Sequence, residues 1–390
     1  MARARIGILA KGASSYSTKR IAEACRLRGH SVDVYDPTRF SLIVENASGE
    51  VRYKGCELTT LDAIIPRIGT SMTLVGTAVV RQLEQRGILV LNGSHAITVA
   101  RDKLRALQVL AHNNVPIPKT AFVKSGDDIL PVIEALGGAP LILKVLEGTQ
   151  GIGVMLADTR RVAQAIVETL DSVNQDVILQ QFVGESRGRD VRAFVVGGRV
   201  VAAMRRTATG DEFRSNVHRG GTTESVKLDA AYEDAALRAA RILGLHVAGV
   251  DMLESQAGPL VMEVNSSPGL EGIEAATGID VAMAIVKHLE SALCAPESEF
   301  DGSPNGEELR EVAALDKSDI VAELTLGPRN RLVGVTLCES KLDALDVRVL
   351  SIKRGSLSMM NPSASTRFFL ADVVVLFGKR TSLEALVTRS

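Results

Sequence analysis

The sequence predicts a multidomain protein built from α/β and α+β units, and three observations support this prediction. The chain has 390 residues, more than the roughly 150 residues of one ordinary domain, which indicates two to four units. Its hydrophobic fraction is 46%, with 3% aromatic residues and no Trp, a composition typical of globular proteins with aliphatic cores. Strand and helix patterns alternate early in the chain, and antiparallel strand patterns follow.

Residues 1–98 are predicted to form a domain with a mostly parallel sheet. A helical pattern, TKRIAEACRLRG, follows the first strand pattern and ends at Gly29. An alternating βαβ order predicts parallel strands. The strand patterns are RIGIL (5–9), SVDVYD (31–36), DAIIP (62–66) and ILVLN (88–92).

Residues 99–294 are predicted to be rich in antiparallel strands. The segment begins with one helix, ARDKLRALQVLAHNN, which the two prolines of VPIP close. A second helix, YEDAALRAARILG, precedes a strand pair, HVAGVDML and GPLVMEVN, joined by the short turn SQAG. The other predicted strands are TAFV, LILKVL, VILQQFV, VRAFVVGG and RVVAAMRR.

Residues 295–314 are predicted to be a linker, because they lose apolar periodicity and collect Pro, Gly, Ser and acids. Residues 315–390 are predicted to form a separate small α+β domain. Its strand patterns are IVAELTL, RLVGVTL, DVRVLSIKRG and DVVVLFG, and its helix pattern is SLEALVTR.

Charge and cysteine content exclude several classes of function. Lysine plus arginine (45) nearly balance aspartate plus glutamate (46), so no global field favours nucleic acid or an anionic membrane. The four cysteines form no CxxC or CxxH pattern, which favours reduced thiols. No apolar run approaches the ~20 residues of a membrane span. We expect a cytoplasmic protein.

The strand pair around the SQAG turn carries a candidate metal site. If the hairpin is centred on Ala257, Asp251 and Glu263 face each other across it. Asn265, two residues after Glu263, returns to the same face of the strand. Three oxygen donors of this kind suit Mg²⁺. In the alternative, the hairpin has a different register and one acid points to solvent. If the three donors do bind a metal, replacing either acid with alanine is expected to abolish activity and leave the fold intact.

The run LILKVLEGTQGIGV is a candidate phosphate loop. Lys144 ends a strand, and the loop that follows contains Gly148, Gly151 and Gly153. Free amides in such a loop can bind phosphate oxygens, and the lysine adds a positive charge. The spacing fits neither GxxxxGK[ST] nor GxGxxG. A simple Gly-rich turn between two strands is an equal alternative.

Basic and polar residues form a third group, placed around the expected phosphates. Arg192 and Arg206 lie in strands otherwise filled with apolar residues, where a buried charge needs a partner, and an anionic ligand would provide one. The polar segment TATGDEFRSNVHRGG is a candidate mobile lid, or else an ordinary solvated loop. No GxSxG motif or Cys/His pair suggests a catalytic nucleophile. The full group is Lys103, Asp190, Arg192, Arg205, Arg206, Arg214, Asn216, His218 and Arg219.

A series of motifs, taken in order, resembles the RimK branch of the ATP-grasp superfamily. The N-terminal pieces YSTKRIAEACRLRGH, YKG and IPRIGT also resemble that branch, so the resemblance extends from the first strand to about Leu293. The central motifs are RDK (101–103), LILKVLEGTQGIGV, LQQF, RDVRAFVV, FRSNVHRGG, VAGVDML and VMEVNSSPGLEGIE.

The resemblance implies a domain order. Residues 1–98 would be a pre-ATP-grasp domain. Residues 99–185 and 186–294 would be the central and C-terminal subdomains of an ATP-grasp fold, which hold ATP between them while the Gly-rich loop closes over its phosphates.

The same resemblance implies roles for individual residues. Lys103 and Lys144 match nucleotide-binding lysines, Gln181 and Phe182 the segment that meets adenine, and Asp190 the position near the ribose. At position 181 this branch more often has Glu, so Gln181 is a departure. Further ATP contacts are implied at Gly148, Gly151, Gly153, Arg214, Ser215 and Asn216, catalytic roles at Arg192, Arg206, Arg214 and Asn216, and metal binding at Asp251, Glu263 and Asn265.

The implied reaction is phosphoryl transfer from ATP to an acceptor carboxylate, followed by attack of an amine on the acyl phosphate. The resemblance implies two Mg²⁺ or Mn²⁺ ions, glutamate as the amine, and the C-terminal carboxyl of a small-subunit ribosomal protein or a growing glutamate chain as the acceptor. No direct contact with nucleic acid or a membrane is expected. A homo-oligomer, dimer or tetramer, is the default expectation for such an enzyme.

The tail, with ELTLGPRNRLVGVTL, DVRVLSIKRG and ADVVVLFG, is similar to the regulatory C-terminal domain of TrkA-type potassium-transport proteins. This similarity implies a regulatory module for residues 315–390 that could bind a small effector. Two rival functions remain open: a ligase that acts on a small-molecule carboxylate in amino-acid or cofactor biosynthesis, and a non-catalytic nucleotide sensor.

Overall fold

The computed structural model describes residues 3–45, 49–58, 60–124, 128–146, 153–210, 221–294, 309–314, 318–327, 330–354, 357–369 and 372–387. The chain divides into two compact units, residues 1–300 and 301–390, and each is described by itself. Within the described ranges, no helix is both long and apolar enough to cross a membrane.

The N-terminal part of unit 1 contains a parallel sheet. Its elements are β1 (Arg5–Leu9), α1 (Tyr16–Leu27), β2 (Ser31–Tyr35), β3 (Phe40–Val44), β4 (Gly49–Tyr53), β5 (Cys56–Glu57), β6 (Ala63–Pro66), α2 (Thr73–Gln85) and β7 (Leu89–Val90). The strands β2, β1, β6 and β7 pair in that order, and all run parallel. This confirms the predicted parallel sheet. The sequence interpretation missed β3, β4 and β5, which form a separate antiparallel sheet.

The middle part of unit 1 is an antiparallel sheet covered by helices. Its elements are α3 (Ser94–Arg101), α4 (Lys103–His112), β8 (Thr120–Phe122), α5 (Ile129–Ala135), β9 (Leu141–Val145), β10 (Val154–Ala157), α6 (Arg160–Ser172) and β11 (Val177–Gln181). The strand order is β10, β9, β11, β8. Buried side chains of α5 and α6, such as Ile133 and Val167, pack against Leu143 and Leu179 of the sheet.

The prediction of one helix over residues 100–114 is wrong, because the helix breaks at Asp102. The backbone of Asp102 is extended, and its carboxylate accepts a hydrogen bond from the Arg105 amide at 3.0 Å. Asp102 therefore acts as the N-cap of a new helix. As a result, Lys103 is the first residue of α4 instead of lying inside a longer helix.

The last part of unit 1 is a five-stranded antiparallel sheet with two different faces. Its elements are β12 (Arg189–Val196), β13 (Arg199–Thr207), β14 (Thr222–Ser225), α7 (Ala230–Ile242), β15 (Val247–Ser255), β16 (Gly258–Asn265), α8 (Glu271–Thr277) and α9 (Val281–Cys294). The strand order is β14, β13, β12, β15, β16. One face buries Val191, Val250 and Val264 together with the small alanines of α7, including Ala236. The strand period of two sends Asp190, Arg192 and other charged residues to the opposite face.

A buried asparagine ties the N-terminal part of unit 1 to this last sheet. Asn92 is 1% exposed. Its side-chain amide donates to the carbonyls of Val247 at 2.7 Å and Ser266 at 2.9 Å. Its side-chain oxygen accepts from the amides of His246 at 2.8 Å and Val247 at 2.9 Å. Asn92 thereby fixes the start of β15 and the segment that follows β16.

Unit 2 is a five-stranded antiparallel sheet with a short helix. Its elements are β17 (Leu309–Ala314), β18 (Asp319–Thr325), β19 (Arg348–Arg354), β20 (Leu357–Met360), β21 (Val373–Lys379) and α10 (Arg380–Glu384), and the strand order is β17, β18, β21, β19, β20. Alternate residues of β18 and β21, including Leu324 and Leu376, build its core. The unit confirms the predicted small α+β fold.

Two predictions for this region are wrong in part. The linker was predicted to extend to residue 314, but residues 309–314 form the edge strand β17, paired with β18; residues 295–308 lie outside the described part of the chain. The run RLVGVTL (331–337) was predicted as a strand, but it forms turns with a single bridge from Thr336 to Arg367. Gly334, with φ +87°, does not fit extended strand geometry.

We predict that Asn92→Ala destabilises unit 1 strongly. It removes four hydrogen bonds and leaves buried amides and carbonyls without partners, so we expect a loss of about 3 kcal/mol in the free energy of unfolding. The matched control is Asn113→Ala, since Asn113 is exposed and its side chain donates one hydrogen bond, to Val109 at 2.8 Å. Calorimetric unfolding of the full chain measures both. Equal stability losses in the two variants would contradict the assigned role of Asn92.

Candidate functional site

The hairpin of β15 and β16 brings the two predicted metal-binding acids opposite each other. Asp251 pairs with Glu263, and Gly249 pairs with Asn265. The turn alone would place Met262 opposite Asp251, because Ser255 pairs with Gly258. A β-bulge at Met262 adds one residue to β16 and moves Glu263 into that position. The predicted pairing is confirmed, and metal binding by Asp251, Glu263 and Asn265 stays a prediction.

The two acids have different surroundings. Asp251 is 2% exposed. It accepts hydrogen bonds from Arg192 Nε and Nη2, both at 2.6 Å, and forms an ion pair with Arg206 at 2.9 Å. Burial favours the protonated form of Asp251, but the charges of Arg192 and Arg206 outweigh it, and the pKa lies below its ordinary value. The side chain of Glu263, in contrast, is exposed.

This arrangement changes the expectation that either acid can be removed without effect on the fold. Removal of Asp251 would leave two arginines without their shared counter-charge in a buried position, which destabilises proteins strongly. Removal of the exposed Glu263 carries no such cost.

Arg192 and Arg206 obtain their partners from the protein itself. Arg206 donates to both oxygens of Asp190, at 2.6 and 2.7 Å, in addition to its ion pair with Asp251. Burial alone would lower the pKa of Arg206, but the charges of Asp251 and Asp190 raise it above its ordinary value. The idea that these arginines need an anionic ligand as counter-ion is therefore wrong. Direct contact of the 2% exposed Asp190 with a ribose would require Arg206 to move.

The two predicted nucleotide-binding lysines meet at the C-terminal end of β9: Lys144 belongs to this strand, and Lys103 is the first residue of α4. Lys103 Nζ donates to the carbonyl of Leu146 at 2.7 Å and to that of Val145 at 3.3 Å. Burial, together with the charge of Lys103, lowers the pKa of Lys144 to about 8, and the charges of Glu263, Asp251 and Asp190 partly oppose this shift. Lys144 therefore lies within electrostatic range of Lys103 and of the three acids.

The Gly-rich loop is described only at its end. Gly153 has φ +76°, and a Cβ there would lie 2.1 Å from Val145 Cγ2. The position therefore requires glycine for close packing of β9 and β10. Gly148 and Gly151 of this loop and Arg214, Ser215, Asn216, His218 and Arg219 of the predicted lid lie outside the described residues.

The predicted adenine segment lies at the end of β11. Gln181 is exposed, and its amide donates to the carbonyl of Lys119 at 2.9 Å. Phe182 is half-buried and follows the strand directly. Arg205, the remaining basic residue of the predicted group, pairs with Glu254 at 2.8 Å and Glu224 at 2.9 Å.

The sequence interpretation did not single out two half-buried arginines, Arg67 directly after β6 and Arg101 at the C-terminal end of α3. Arg67 Nη2 donates to the carbonyl of Pro268 at 2.7 Å, and Arg101 binds the carbonyl of Ile68 and the hydroxyl of Thr70. Burial lowers the pKa of Arg67 to about 10, with a contribution from Arg101, and burial also lowers the pKa of Arg101. A charged residue directly after the apolar run AIIP was the available signal.

Across the described ranges, no group of three or more His, Cys, Asp or Glu side chains is placed to hold a metal. The predicted metal site contains two such residues, Asp251 and Glu263. A third protein ligand would have to come from a residue of another type, such as the amide oxygen of Asn265.

Comparison with known proteins identifies three domains. The family model for the RimK PreATP-grasp domain matches residues 4–97, that for the RimK-like ATP-grasp domain matches residues 100–289, and that for the TrkA-C domain matches residues 321–389. A protein from Rhodopirellula baltica named "Probable alpha-L-glutamate ligase" is 47% identical over 383 residues, which are 98% of this chain and 92% of that protein. A protein of the same name from Vibrio cholerae is 51% identical over 286 residues, 73% of this chain and 95% of its own length.

Solved structures share the fold of this chain. The ATP-grasp ligase PsnB, in a complex with a phosphomimetic precursor variant, Mg and ADP, superimposes with a TM-score of 0.59 at 19% identity, over 75% of this chain and 99% of PsnB. A RimK domain ATP-grasp protein from Sphaerobacter thermophilus superimposes with a TM-score of 0.57 at 24% identity, over 74% of this chain and all (100%) of that protein. The chain therefore belongs to the RimK-type ATP-grasp family and is an ATP-dependent carbon–nitrogen ligase that also carries a TrkA-C domain.

Proposed function

We propose that this ligase adds L-glutamate to a C-terminal carboxylate, that of a small-subunit ribosomal protein or of a growing glutamate chain. The observation that carries the proposal is the Asp251–Glu263 pair beside Lys144, in a chain 47% identical to a named glutamate ligase over nearly its whole length. Phosphoryl transfer to the acceptor gives an acyl phosphate, and the amine of glutamate attacks its carbonyl carbon and displaces phosphate.

The described residues fit a bound Mg²⁺. A carboxylate has about four lone-pair positions, and Asp251 uses three of them, for Arg192 Nε, Arg192 Nη2 and Arg206 Nη2. One position remains for a metal, and the exposed Glu263 and the amide oxygen of Asn265 complete a hard-oxygen set. The bound ion would neutralise charge on the transferring phosphoryl group. We propose that two ions bind, Mg²⁺ or Mn²⁺.

The residues of the site then take four roles: positioning Asp251, binding the phosphates, contacting the nucleoside and stabilising the transferring group. Arg192 and Arg206 position Asp251, since both are committed to it by hydrogen bonds or ion pairs. Lys103 and Lys144 bind the phosphates of ATP, together with Gly148, Gly151, Gly153, Arg214, Ser215 and Asn216, while Gln181 and Phe182 contact adenine and Asp190 supports the ribose side through Arg206. Arg214 and Asn216 are proposed to stabilise the transferring group.

The proposal includes the TrkA-C domain and the assembly state. We propose that residues 315–390 form a regulatory module that binds a small effector, supported by its own buried core, which includes Phe368 and Leu376. A cytoplasmic homo-oligomer, dimer or tetramer, is the proposed working form.

The direct test is ADP release from ATP and Mg²⁺ with glutamate, measured with and without a peptide acceptor that ends in Glu. We expect ADP release that depends on both substrates, and mass spectrometry should show the acceptor heavier by whole glutamyl residues. Release with a small-molecule carboxylate but not with the peptide would overturn the proposed acceptor. Nucleotide binding without turnover on any acceptor would support a sensor instead.

We predict that Glu263→Gln lowers kcat by ~100-fold or more, because it removes a negatively charged metal ligand, and leaves thermal stability unchanged because Glu263 is exposed. The matched control on the same hairpin is Glu254→Gln, whose partner is Arg205. The control should keep kcat near that of the unmodified protein. Full turnover by Glu263→Gln at saturating Mg²⁺ would remove this residue from the metal site.

We predict that ATP affinity depends on the charge of Lys144. Below pH 8 the lysine, whose pKa is about 8, is protonated and attracts phosphate; above pH 8 it becomes neutral, so the Kd for ATP should rise, by up to ~10-fold per pH unit. Lys144→Arg stays protonated and should show a flat profile between pH 8 and 9.5.

The control for this pH profile is Lys119→Arg, which replaces a lysine bound to the carbonyl of Ala135. Calorimetric titration with ATP measures all three proteins. If the ATP affinity of Lys144→Arg falls with rising pH as that of the unmodified protein does, a group other than Lys144 causes the pH dependence.

A further inference from the structure

Three segments of unit 1 meet around Arg67. Arg67 follows β6, Arg101 ends α3, and Ser266 and Ser267 follow β16. The hydrogen bond from Arg67 to the Pro268 carbonyl joins the first segment to the third. The hydrogen bond from Arg101 to the Ile68 carbonyl joins the second to the first. Arg67 and Ser266 are also the two polar residues that line one small, otherwise apolar pocket in the described part of the chain.

The charges of this group are not neutralised locally. Within the described part of the chain, neither Arg67 nor Arg101 forms an ion pair with an acid, whereas Arg192 and Arg206 both do. Burial and mutual repulsion lower the pKa of Arg67. The one acid whose charge raises the pKa of Arg101 is Glu263, at the predicted metal site. Two adjacent, half-buried cations that form no ion pair are unfavourable unless a ligand supplies negative charge.

Hydrogen-bond donors in the same place also lack partners. Arg101 Nε and the hydroxyls of Ser266 and Ser267 are buried, and none has a hydrogen-bond partner among the residues that the structure describes. Ser266 is 3% exposed. A buried polar group without a partner costs about 1–3 kcal/mol. The two serine hydroxyls and Arg101 Nε, together with the Arg67 guanidinium, indicate a binding site for an anion with several acceptor oxygens.

We propose that the Arg67 cluster, formed by Arg67, Arg101, Ser266 and Ser267, binds a substrate carboxylate that does not itself react. The inference rests on the proposed function, in which both substrates are glutamate-like. Guanidinium groups match the planar geometry of a carboxylate, and two serine hydroxyls add donors to it. The reacting carboxylate must keep an oxygen free to attack phosphorus, so the second carboxylate of a dicarboxylic substrate is the better occupant.

Two substrates can supply this carboxylate: the acceptor, through the side chain of its terminal Glu, or the incoming glutamate, through its side chain. Because the charge of Glu263 acts on Arg101, a carboxylate bound by the cluster would lie near the predicted metal site. The shared chemistry is a carboxylate held by arginines, and a neutral amide of the same shape would leave the cluster uncompensated. Specificity for glutamate over glutamine is the expected consequence.

The test compares each substrate with its neutral analogue in the full-length protein. We measure kcat/KM for acceptor peptides that end in Glu or Gln, and for glutamate or glutamine as the amine. Arg101→Gln should reduce one of these two preferences by ~10-fold or more, and the affected pair identifies which substrate the cluster binds. The KM for ATP should stay within about two-fold, since the phosphate-binding lysines are unchanged.

Ser267→Ala is a milder second variant, which removes one hydroxyl without a change of charge, and it should reduce the same preference to a smaller degree. The control is Arg105→Gln, an exposed arginine on α4, which should retain both preferences. If Arg101→Gln and Ser267→Ala both keep both preferences while activity falls, the cluster is structural and the proposal is overturned.

A binding measurement separates this proposal from the proposed function. Calorimetric titration of glutarate into the protein without ATP requires no turnover, and we expect Arg101→Gln to weaken the binding by ~10-fold or more relative to the unmodified chain. If the unmodified protein ligates no glutamate but binds glutarate, and Arg101→Gln loses that binding, the proposed function is overturned and the Arg67 cluster is retained as a carboxylate site. Equal glutarate affinity in Arg101→Gln and Arg105→Gln would overturn the cluster.

Discussion

The carboxylate of Asp251 is the interaction on which the arrangement of the site depends. It lies on β15, where Arg192 comes from the neighbouring strand β12 and Glu263 from the edge strand β16. The two arginines allow a buried acid to stay ionised, and the bulge at Met262 places Glu263 opposite it. The other face of the same sheet buries apolar residues, including Val191 and Val250, against the alanines of α7. A register shift of one residue would exchange the two faces and bury the charges against alanine.

The positive charges discussed for the candidate site and the Arg67 cluster fall into two sets that differ in how they are neutralised. Arg192 and Arg206 are compensated by Asp190 and Asp251 within the sheet, so they give the site rigidity and a defined carboxylate position. Lys144 and the Arg67 cluster keep charge that burial makes unfavourable, as their lowered pKa values indicate. A site that must bind a triphosphate and dicarboxylic substrates benefits from cations of the second kind, because their neutralisation by ligand contributes to binding.

Much of the fold and of the candidate site could be predicted from the sequence, because strand periodicity and hairpin symmetry are local properties of the chain. The pairing of Asp251 with Glu263 followed from their equal distances to Ala257, although the bulge that makes it correct was not foreseen. The shared partner Asp251 was missed because β15 lies beside β12 only through the sheet order. The pairing of Asp190 with Arg206 across the β12–β13 hairpin is local, and the sequence interpretation did not examine it. The helix break at Asp102 was missed because a capping aspartate resembles any polar residue on a helix surface. The Arg67 cluster depends on contacts between segments roughly 200 residues apart, such as Arg67 with Pro268 (a separation of 201), which no local pattern reveals.

The account is tested most directly by a crystal structure of the protein with Mg²⁺ and a non-hydrolysable ATP analogue. It predicts an ion about 2.1 Å from a carboxylate oxygen of Glu263, with Asp251 and Asn265 completing the ligands while Arg192 still holds Asp251, and with the γ-phosphate on the other side of the ion. An ion bound to the phosphates at another position, with the Glu263 side chain in solvent, would contradict it.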